Sequence, residues 1–99
     1  ARPAIPALKE AAKDPSGAVA TLAAEALYGL GEKQLAVETY TRILGSDSYS
    51  AFDKIFAMNS IDAVHDRSNE LLPLIDALCV YKTNDYVVRI AEYLKSEYP

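Results

Sequence analysis

The sequence predicts an all-α fold of about six antiparallel helices, arranged as an α-α superhelix of three two-helix units. Apolar residues recur at helical spacing along most of the chain, and polar loops interrupt the pattern at regular intervals. Related segments return about every 34 residues, the period of an α-solenoid. No segment long enough to form a half-buried strand shows the alternation of apolar and polar residues that such a strand would have.

Apolar stripes define the predicted helix faces. The clearest stripe follows the spacing i, i+3, i+4, i+7, i+8, i+11 of one helical face. Its members are Val19, Leu22, Ala23, Ala26, Leu27 and Leu30. Two further stripes are Leu71, Leu74, Ile75 and Leu78, and Val87, Ile90, Ala91 and Leu94. These side chains are expected to form the core.

Loop and capping residues divide the chain into helices. The predicted helices span residues 4–13, 17–30, 32–44, 50–65, 69–81 and 85–97. Gly31 suits the left-handed position that follows a helix, and Asp14 or Ser16 can cap the next helix. Pro6 and Pro73 lie early in their helices, where a proline loses no intrahelical hydrogen bond. Aspartates in the breaks between helices are explained by capping; they are Asp14, Asp47, Asp66 and Asp85.

Composition limits the classes of partner. Ninety-nine residues suit one small domain, 1–99, and 51% hydrophobic with 24% charged residues argues against disorder. A net charge of −4 without a Lys/Arg cluster argues against nucleic-acid and anionic-membrane partners, which need a concentrated basic face. Apolar runs are much shorter than the ~20 residues that span a bilayer. The opening at Ala1, without an initiator Met, predicts an excised C-terminal piece of a larger protein.

Two segments resemble the HEAT repeat. One begins at Asp14-Pro15 and continues to Ala23-Ala24-Glu25-Ala26-Leu27, and the other runs from Asn84 to Leu94 with the Val88-Arg89 pair. The first unit has Ala20 where the family has arginine, and the middle unit departs further. The resemblance implies a HEAT-like solenoid. In that family a loop aspartate and a helix arginine tie units together, which implies an inter-repeat network of Asp85, Arg89 and Glu92. The tetratricopeptide pattern is an alternative for residues 31–44.

A narrower resemblance concerns the residues 57–62 and 86–94. Ala57-Met58-Asn59-Ser60-Ile61-Asp62 and Tyr86-Val87-Val88-Arg89-Ile90-Ala91-Glu92-Tyr93-Leu94 resemble the C-terminal extension of secreted bacterial sulfatases, including heparan N-sulfatase-like enzymes. The resemblance implies a periplasmic or secreted accessory module that packs on the catalytic domain of the same polypeptide. The formylglycine motif is absent, because Cys79 is followed by Val80-Tyr81-Lys82-Thr83. The alternative is a general protein-interaction scaffold that binds another protein.

Reactive residues point to structural roles. His65 is the single histidine and lies near a predicted helix end, where it is expected to stabilise that end. Cys79 lies beside an apolar stripe and is expected to be a buried, inert thiol. No set of side chains forms a metal, cofactor or nucleophilic site, so the chain itself is predicted to have no enzyme activity.

Seven tyrosines dominate the aromatic residues. Tyrosine can bury its ring while the hydroxyl stays wet, so most are expected to pack at the edges of a thin solenoid. Tyr49, Tyr81 and Tyr86 lie near loops and are predicted to form a contact surface. Asn59 falls in the core phase of its helix and is expected to find a buried hydrogen-bond partner.

Overall fold

A computed structural model describes residues 4–98 as six α-helices, with no strand in that range. The helices are α1 (Ala4–Ala11), α2 (Gly17–Gly29), α3 (Lys33–Gly45), α4 (Ala51–Ala63), α5 (Leu72–Leu78) and α6 (Asp85–Ser96). The all-α prediction is therefore confirmed, and each predicted helix has a counterpart. The first three residues and Pro99, which include part of the predicted opening segment, lie outside the described residues.

The helices form two layers. Helices α2, α4 and α6 lie side by side, while α1, α3 and α5 pack against them from one side. The described chain measures 40 × 29 × 17 Å, and the short dimension corresponds to these two layers. Most of the core lies between the layers, so within residues 4–98 no other helix covers the outer surface of the α2/α4/α6 layer.

Side-chain caps begin three helices. Ser16 caps α2 and accepts a hydrogen bond from the Val19 amide at 3.3 Å. Ser50 caps α4 in a reciprocal capping box with Asp53, and Asn84 caps α6. The inter-helix aspartates were expected to be caps, but serine and asparagine serve instead. Asp14 accepts from the Ser16 amide at 2.8 Å, which positions the capping residue.

Two helices end in the same backbone motif. Gly31 adopts a φ of +88° after α2, and the Glu32 amide bonds to the Leu27 carbonyl at 2.9 Å. This is the Schellman arrangement, so the left-handed position predicted for Gly31 is confirmed. His65 occupies the equivalent position after α4 with a φ of +57°, and the Asp66 amide bonds to the Ile61 carbonyl at 3.1 Å. His65 thus ends the helix through its backbone conformation.

Helix α5 is shorter than the predicted 69–81. Before it, the amides of Leu71 and Leu72 bond to carbonyls three residues back, which makes a turn. After it, the amides of residues 79–81 do the same. Pro73 lies in the first turn of α5, as expected. Tight i→i−3 turns at both ends therefore account for the residues lost from the prediction.

The buried face of α2 differs from the predicted stripe. Val19, Leu22 and Leu30 are exposed, with 41%, 56% and 46% of their surface accessible. The buried residues are Gly17, Ala20, Thr21, Ala23, Ala24 and Leu27. Small side chains let α2 approach α1, α3 and α4 closely, and a Cβ on Gly17 would lie 2.3 Å from Asp53 Cγ. The core side of α2 is therefore the side whose small residues allow close packing, and the side with larger apolar residues faces solvent.

The polar pair in α4 also corrects a prediction. Asn59 is exposed, whereas its neighbour Ser60 is buried and lies 2.6 Å from the Tyr40 hydroxyl. The core side of α4 therefore contains Ser60, the residue after the one expected, and Asn59 faces solvent. Cys79 is half-buried, and burial raises the pKa of its thiol, in keeping with an inert cysteine.

Candidate functional site

A surface of large apolar side chains covers the outer side of the α2/α4/α6 layer. We call it the open face and define it by Leu22 of α2, Phe52 and Phe56 of α4, and Tyr86 and Tyr93 of α6. Their exposed fractions are 56%, 78%, 40%, 56% and 50%, respectively. Single exposed apolar residues are common on proteins, but adjacent aromatic side chains on neighbouring helices are an informative feature.

Helical spacing explains why the aromatic residues of α4 point outward. Phe52, Phe56, Asn59 and Ala63 follow i, i+4, i+7 and i+11, and all of them are exposed. The buried residues of the helix are Lys54, Ala57, Met58, Ser60 and Ile61. The two phenylalanines therefore contribute to the surface of α4 opposite the core.

The tyrosines of α6 continue this surface. Tyr86 and Tyr93 are seven residues apart and so lie on one side of the helix. Tyr93 lies beside α4, where the carboxylate of Asp62, followed by that of Glu97, raises the pKa of its hydroxyl. Tyr93 therefore lies at the boundary between α6 and the C-terminal end of α4.

Charged residues of both signs lie on the helices of the open face. Helix α2 contains Glu25 and no lysine or arginine. Helix α4 contains one basic residue, Lys54, which is buried and turned toward the end of α3. Around α6 the exposed carboxylates of Asp85 and Glu92 accompany Arg89. The open face thus combines exposed apolar side chains with carboxylates and with the cation of Arg89.

The predicted tyrosine contact surface is only partly supported. Tyr49 is 7% exposed and its hydroxyl donates to the Asp14 carbonyl at 2.9 Å, so its place in that surface was wrong. The loop before α4 folds over the turn between α1 and α2 and buries the ring. Tyr81 is half-buried against the core. Tyr86 is exposed as predicted and belongs to the open face.

The predicted inter-repeat charge network is also absent from residues 4–98. Asp85, Arg89 and Glu92 are exposed, and no ion pair in that range joins them. They point away from neighbouring helices, which explains why they bridge none. Helix α6 is instead tied to α5 by Lys95 and Asp76, whose charged atoms lie 2.6 Å apart. Both are more than half exposed, so this pair contributes little to stability.

Arg67 forms ion pairs with residues of two other elements. Its guanidinium lies 3.3 Å from the carboxylate of Asp62 in α4 and 3.7 Å from that of Glu97 after α6. The side chain of Arg67 is 21% exposed. Nothing in the sequence spacing marked this residue, because its two partners come from different helices.

A buried polar cluster joins three parts of the chain. Asp66 is 1% exposed and accepts a hydrogen bond from the Ser68 amide at 2.6 Å. The Tyr98 hydroxyl donates to the Ser68 carbonyl at 2.8 Å, and burial followed by the Asp66 charge raises the pKa of Tyr98. Burial and the same carboxylate also raise the pKa of Tyr28. The cluster is closed to substrate and links α2, the end of α4 and the end of α6.

Lys54 forms a second buried polar contact. It is 4% exposed, and its ammonium donates to the carbonyls of Ile43, Leu44 and Ser46 at 2.9, 3.4 and 2.7 Å. Burial lowers the pKa of Lys54, while nearby carboxylates act in the opposite direction. A cation at the carbonyl end of α3 satisfies acceptors that the helix leaves free. Lys54 therefore fastens α4 to α3.

The described part of the chain has neither a cluster of metal ligands nor a membrane-spanning helix. Between residues 4 and 98, no three His, Cys, Asp or Glu side chains are grouped as metal ligands. None of the helices described is both long and apolar enough to cross a membrane.

No protein-family model matches the chain, and no match was found among curated proteins or among solved structures.

Proposed function

We propose that this chain is a non-catalytic helical-repeat module that docks onto a protein domain through its open face. In this proposal the two-layer arrangement is a HEAT-like superhelix of three two-helix units, and α2, α4 and α6 present the binding surface. The observation that carries the proposal is the exposure of the Phe52 and Phe56 rings on α4 and of Tyr86 and Tyr93 on α6, the helix packed against α4. Solenoids commonly bind partners along one continuous face.

Burial of this face would provide a substantial driving force. Removing the exposed surface of Phe52 from water would contribute about 2 kcal/mol, given the usual value for an aromatic or aliphatic side chain. The two longer dimensions of the molecule are 40 and 29 Å. A face with these dimensions is large enough to provide the roughly 800 Å² of surface that each partner buries in a standard interface. Aromatic residues near the centre of such a face are the usual hot spots.

The sequence resemblance supports a specific partner. We propose that the partner is the catalytic domain of a sulfatase-like hydrolase acting on sulfated glycans, carried by the same polypeptide. The apolar residues of the two motifs that pack in the core are Ala57, Met58, Ile61, Val87, Ala91 and Leu94. The resemblance thus supports a shared accessory fold, while the open face supports the docking role.

A binding measurement with a matched control tests the proposal. We expect the 99-residue chain to bind the separately produced sulfatase-like domain in isothermal titration calorimetry. Phe52→Ser should weaken binding by about tenfold or more, because the most exposed aromatic side chain of the open face is lost. Val80→Ser is the control, since Val80 is 73% exposed in the turn between α5 and α6, away from the open face.

Different outcomes separate the general role from the specific partner. If the sulfatase-like domain does not bind, the accessory role in that enzyme is wrong. A photo-crosslinking residue at position 52, compared with one at position 80, then tests the interaction role in the cell that makes the protein. Without a specific adduct at position 52, the docking proposal also fails.

A further inference from the structure

A small groove lies on the opposite side of the molecule, between α1, α2 and α3. It has a volume of about 210 Å³. Leu27 of α2, Leu35 of α3 and Ala12 after α1 supply its apolar lining. At about 30 Å³ for each molecule of liquid water, the space corresponds to roughly seven waters. It is smaller than a typical drug-sized pocket and suits a compact ligand.

Three cationic side chains line the same groove. They are Lys9, Lys13 and Arg42, against a single carboxylate, that of Glu38. The whole chain has a net charge of −4, so this local excess of positive charge opposes the overall balance. An anion entering the groove would meet a favourable potential.

Contacts within the protein leave most of this positive charge available. The Arg42 guanidinium donates through one nitrogen to the Ala12 carbonyl, which holds it at the groove and leaves other N–H donors free for a ligand. Lys13 lies 3.8 Å from Glu10, but both side chains are at least 70% exposed and the pair is weak. Glu38 accepts a hydrogen bond from Gln34 at 3.4 Å on the same helix.

Helix-end stabilisation explains part of this pattern. Lys9 and Arg42 lie in the last turns of α1 and α3, where cations offset the carbonyl ends of the helices. That role accounts for their charge. It does not account for their convergence with Lys13 on one groove, whose apolar floor is the half-buried Leu35 above the fully buried Leu27.

We infer that the groove binds a small organic acid, with its carboxylate at Arg42 and the two lysines and its apolar body against the half-buried side chain of Leu35. The planar guanidinium can donate two parallel hydrogen bonds to a carboxylate. Contact with the apolar floor provides the second part of the recognition. Inorganic anions cannot make this contact because they have no apolar body. This site is separate from the open face and does not depend on the proposed docking function.

Benzoate is a suitable probe because it fits the groove and combines both features. In ¹H–¹⁵N NMR titrations of the complete chain, we expect saturable shifts confined to residues around the groove. Benzamide has the same shape without the charge and should bind about tenfold more weakly, as expected for loss of a charge-assisted hydrogen bond. Inorganic sulfate, which has no apolar body, should also bind about tenfold more weakly than benzoate.

Protein variants provide the second arm of the test. Lys9→Gln combined with Lys13→Gln should weaken benzoate binding by about fivefold or more while leaving the fold intact, because both side chains are exposed. Lys82→Gln changes the net charge at a distant loop and should leave binding unchanged. Arg42→Lys should also weaken binding, because a point charge replaces the bidentate donor.

Several results would overturn the inference. Equal affinity for benzoate and benzamide would show that charge plays no part, and equal affinity for benzoate and sulfate would show that the apolar floor plays none. Shifts outside the groove, or equal weakening by Lys82→Gln, would indicate general electrostatic binding. The absence of saturable shifts with benzoate would exclude the site.

Discussion

The Tyr40 hydroxyl gives the protein a specific sensitivity to alkaline pH. Tyr40 is fully buried, and its hydroxyl lies 2.6 Å from the Ser60 hydroxyl. Burial is the main cause that raises the Tyr40 pKa from 10.0 to about 12, and the carboxylates of Glu25 and Asp66 add to it. The hydrogen bond with Ser60 acts in the opposite direction. The folded protein therefore keeps this proton at pH values where the unfolded chain has lost it.

The direction of the pH effect follows from proton binding. Between the unfolded pKa of 10.0 and the folded pKa of about 12, the unfolded state binds fewer protons, so stability falls as pH rises. The full difference between these pKa values corresponds to about 2.7 kcal/mol. About half of it, ~1.4 kcal/mol, is already lost at about pH 11. This contribution is fully present below about pH 10.

Tyr40→Phe isolates this contribution. At about pH 7 the variant should be less stable than the wild type by about 1–2 kcal/mol, because the Ser60 hydroxyl loses its buried partner. At about pH 11 that gap should shrink by ~1.4 kcal/mol, since phenylalanine does not ionise. Lys54, Tyr28 and Tyr98 have shifted pKa values in both proteins, so their effects cancel in the comparison.

Urea unfolding followed by circular dichroism at several pH values measures the gap. Tyr86→Phe is the matched control, because this hydroxyl is on an exposed side chain and its loss should leave the gap constant. A stability difference between wild type and Tyr40→Phe that stays the same from about pH 7 to about pH 11 would contradict the assigned protonation. Absorbance of tyrosinate in the folded protein gives an independent check, because Tyr40 should ionise after the exposed tyrosines.

Two further predictions concern stability. Lys54→Met should lower the free energy of unfolding by about 2–3 kcal/mol, because the carbonyls of Ile43 and Ser46 lose a charged donor. The exposed Lys33→Met should change it by less than about 0.5 kcal/mol in the same urea experiment, and similar effects for the two would argue against the capping role. His65→Gly should stabilise the protein by about 1 kcal/mol, because glycine adopts the left-handed position after α4 without steric cost. The melting temperature should rise for His65→Gly but not for His65→Ala, and a rise in both would implicate the imidazole side chain instead.

Local signals in the sequence were sufficient to predict the helices and several of their ends. Gly31 marked a left-handed helix end, because a glycine directly after an apolar stripe is typical of the residue at which a helix stops. Ser16 and the polar residues before α6 marked helix starts in the same way. His65 was harder to interpret, since its left-handed backbone depends on the motif that ends α4 and its residue type did not indicate it.

Contacts between distant residues were not predictable from spacing. Tyr40 and Ser60 are 20 residues apart, and Tyr98 and Ser68 are 30 apart. These pairs form only after the layers pack, so no local pattern indicates them. Tyr49 shows the same limitation, because its position near a loop suggested exposure while the folded loop buries the ring against the end of α1.

The apolar side chains of the open face are not part of the core that stabilises the fold. Helix α2 buries alanines and leaves Leu22 in water, and α4 buries Met58 and Ile61 while leaving Phe52 exposed. These exposed side chains add little to the core, so serine at position 52 should leave the free energy of unfolding almost unchanged, by less than about 0.5 kcal/mol. The same substitution should weaken docking by about tenfold. A large loss of stability in Phe52→Ser would mean that the ring serves the fold, and the docking proposal would lose its main support.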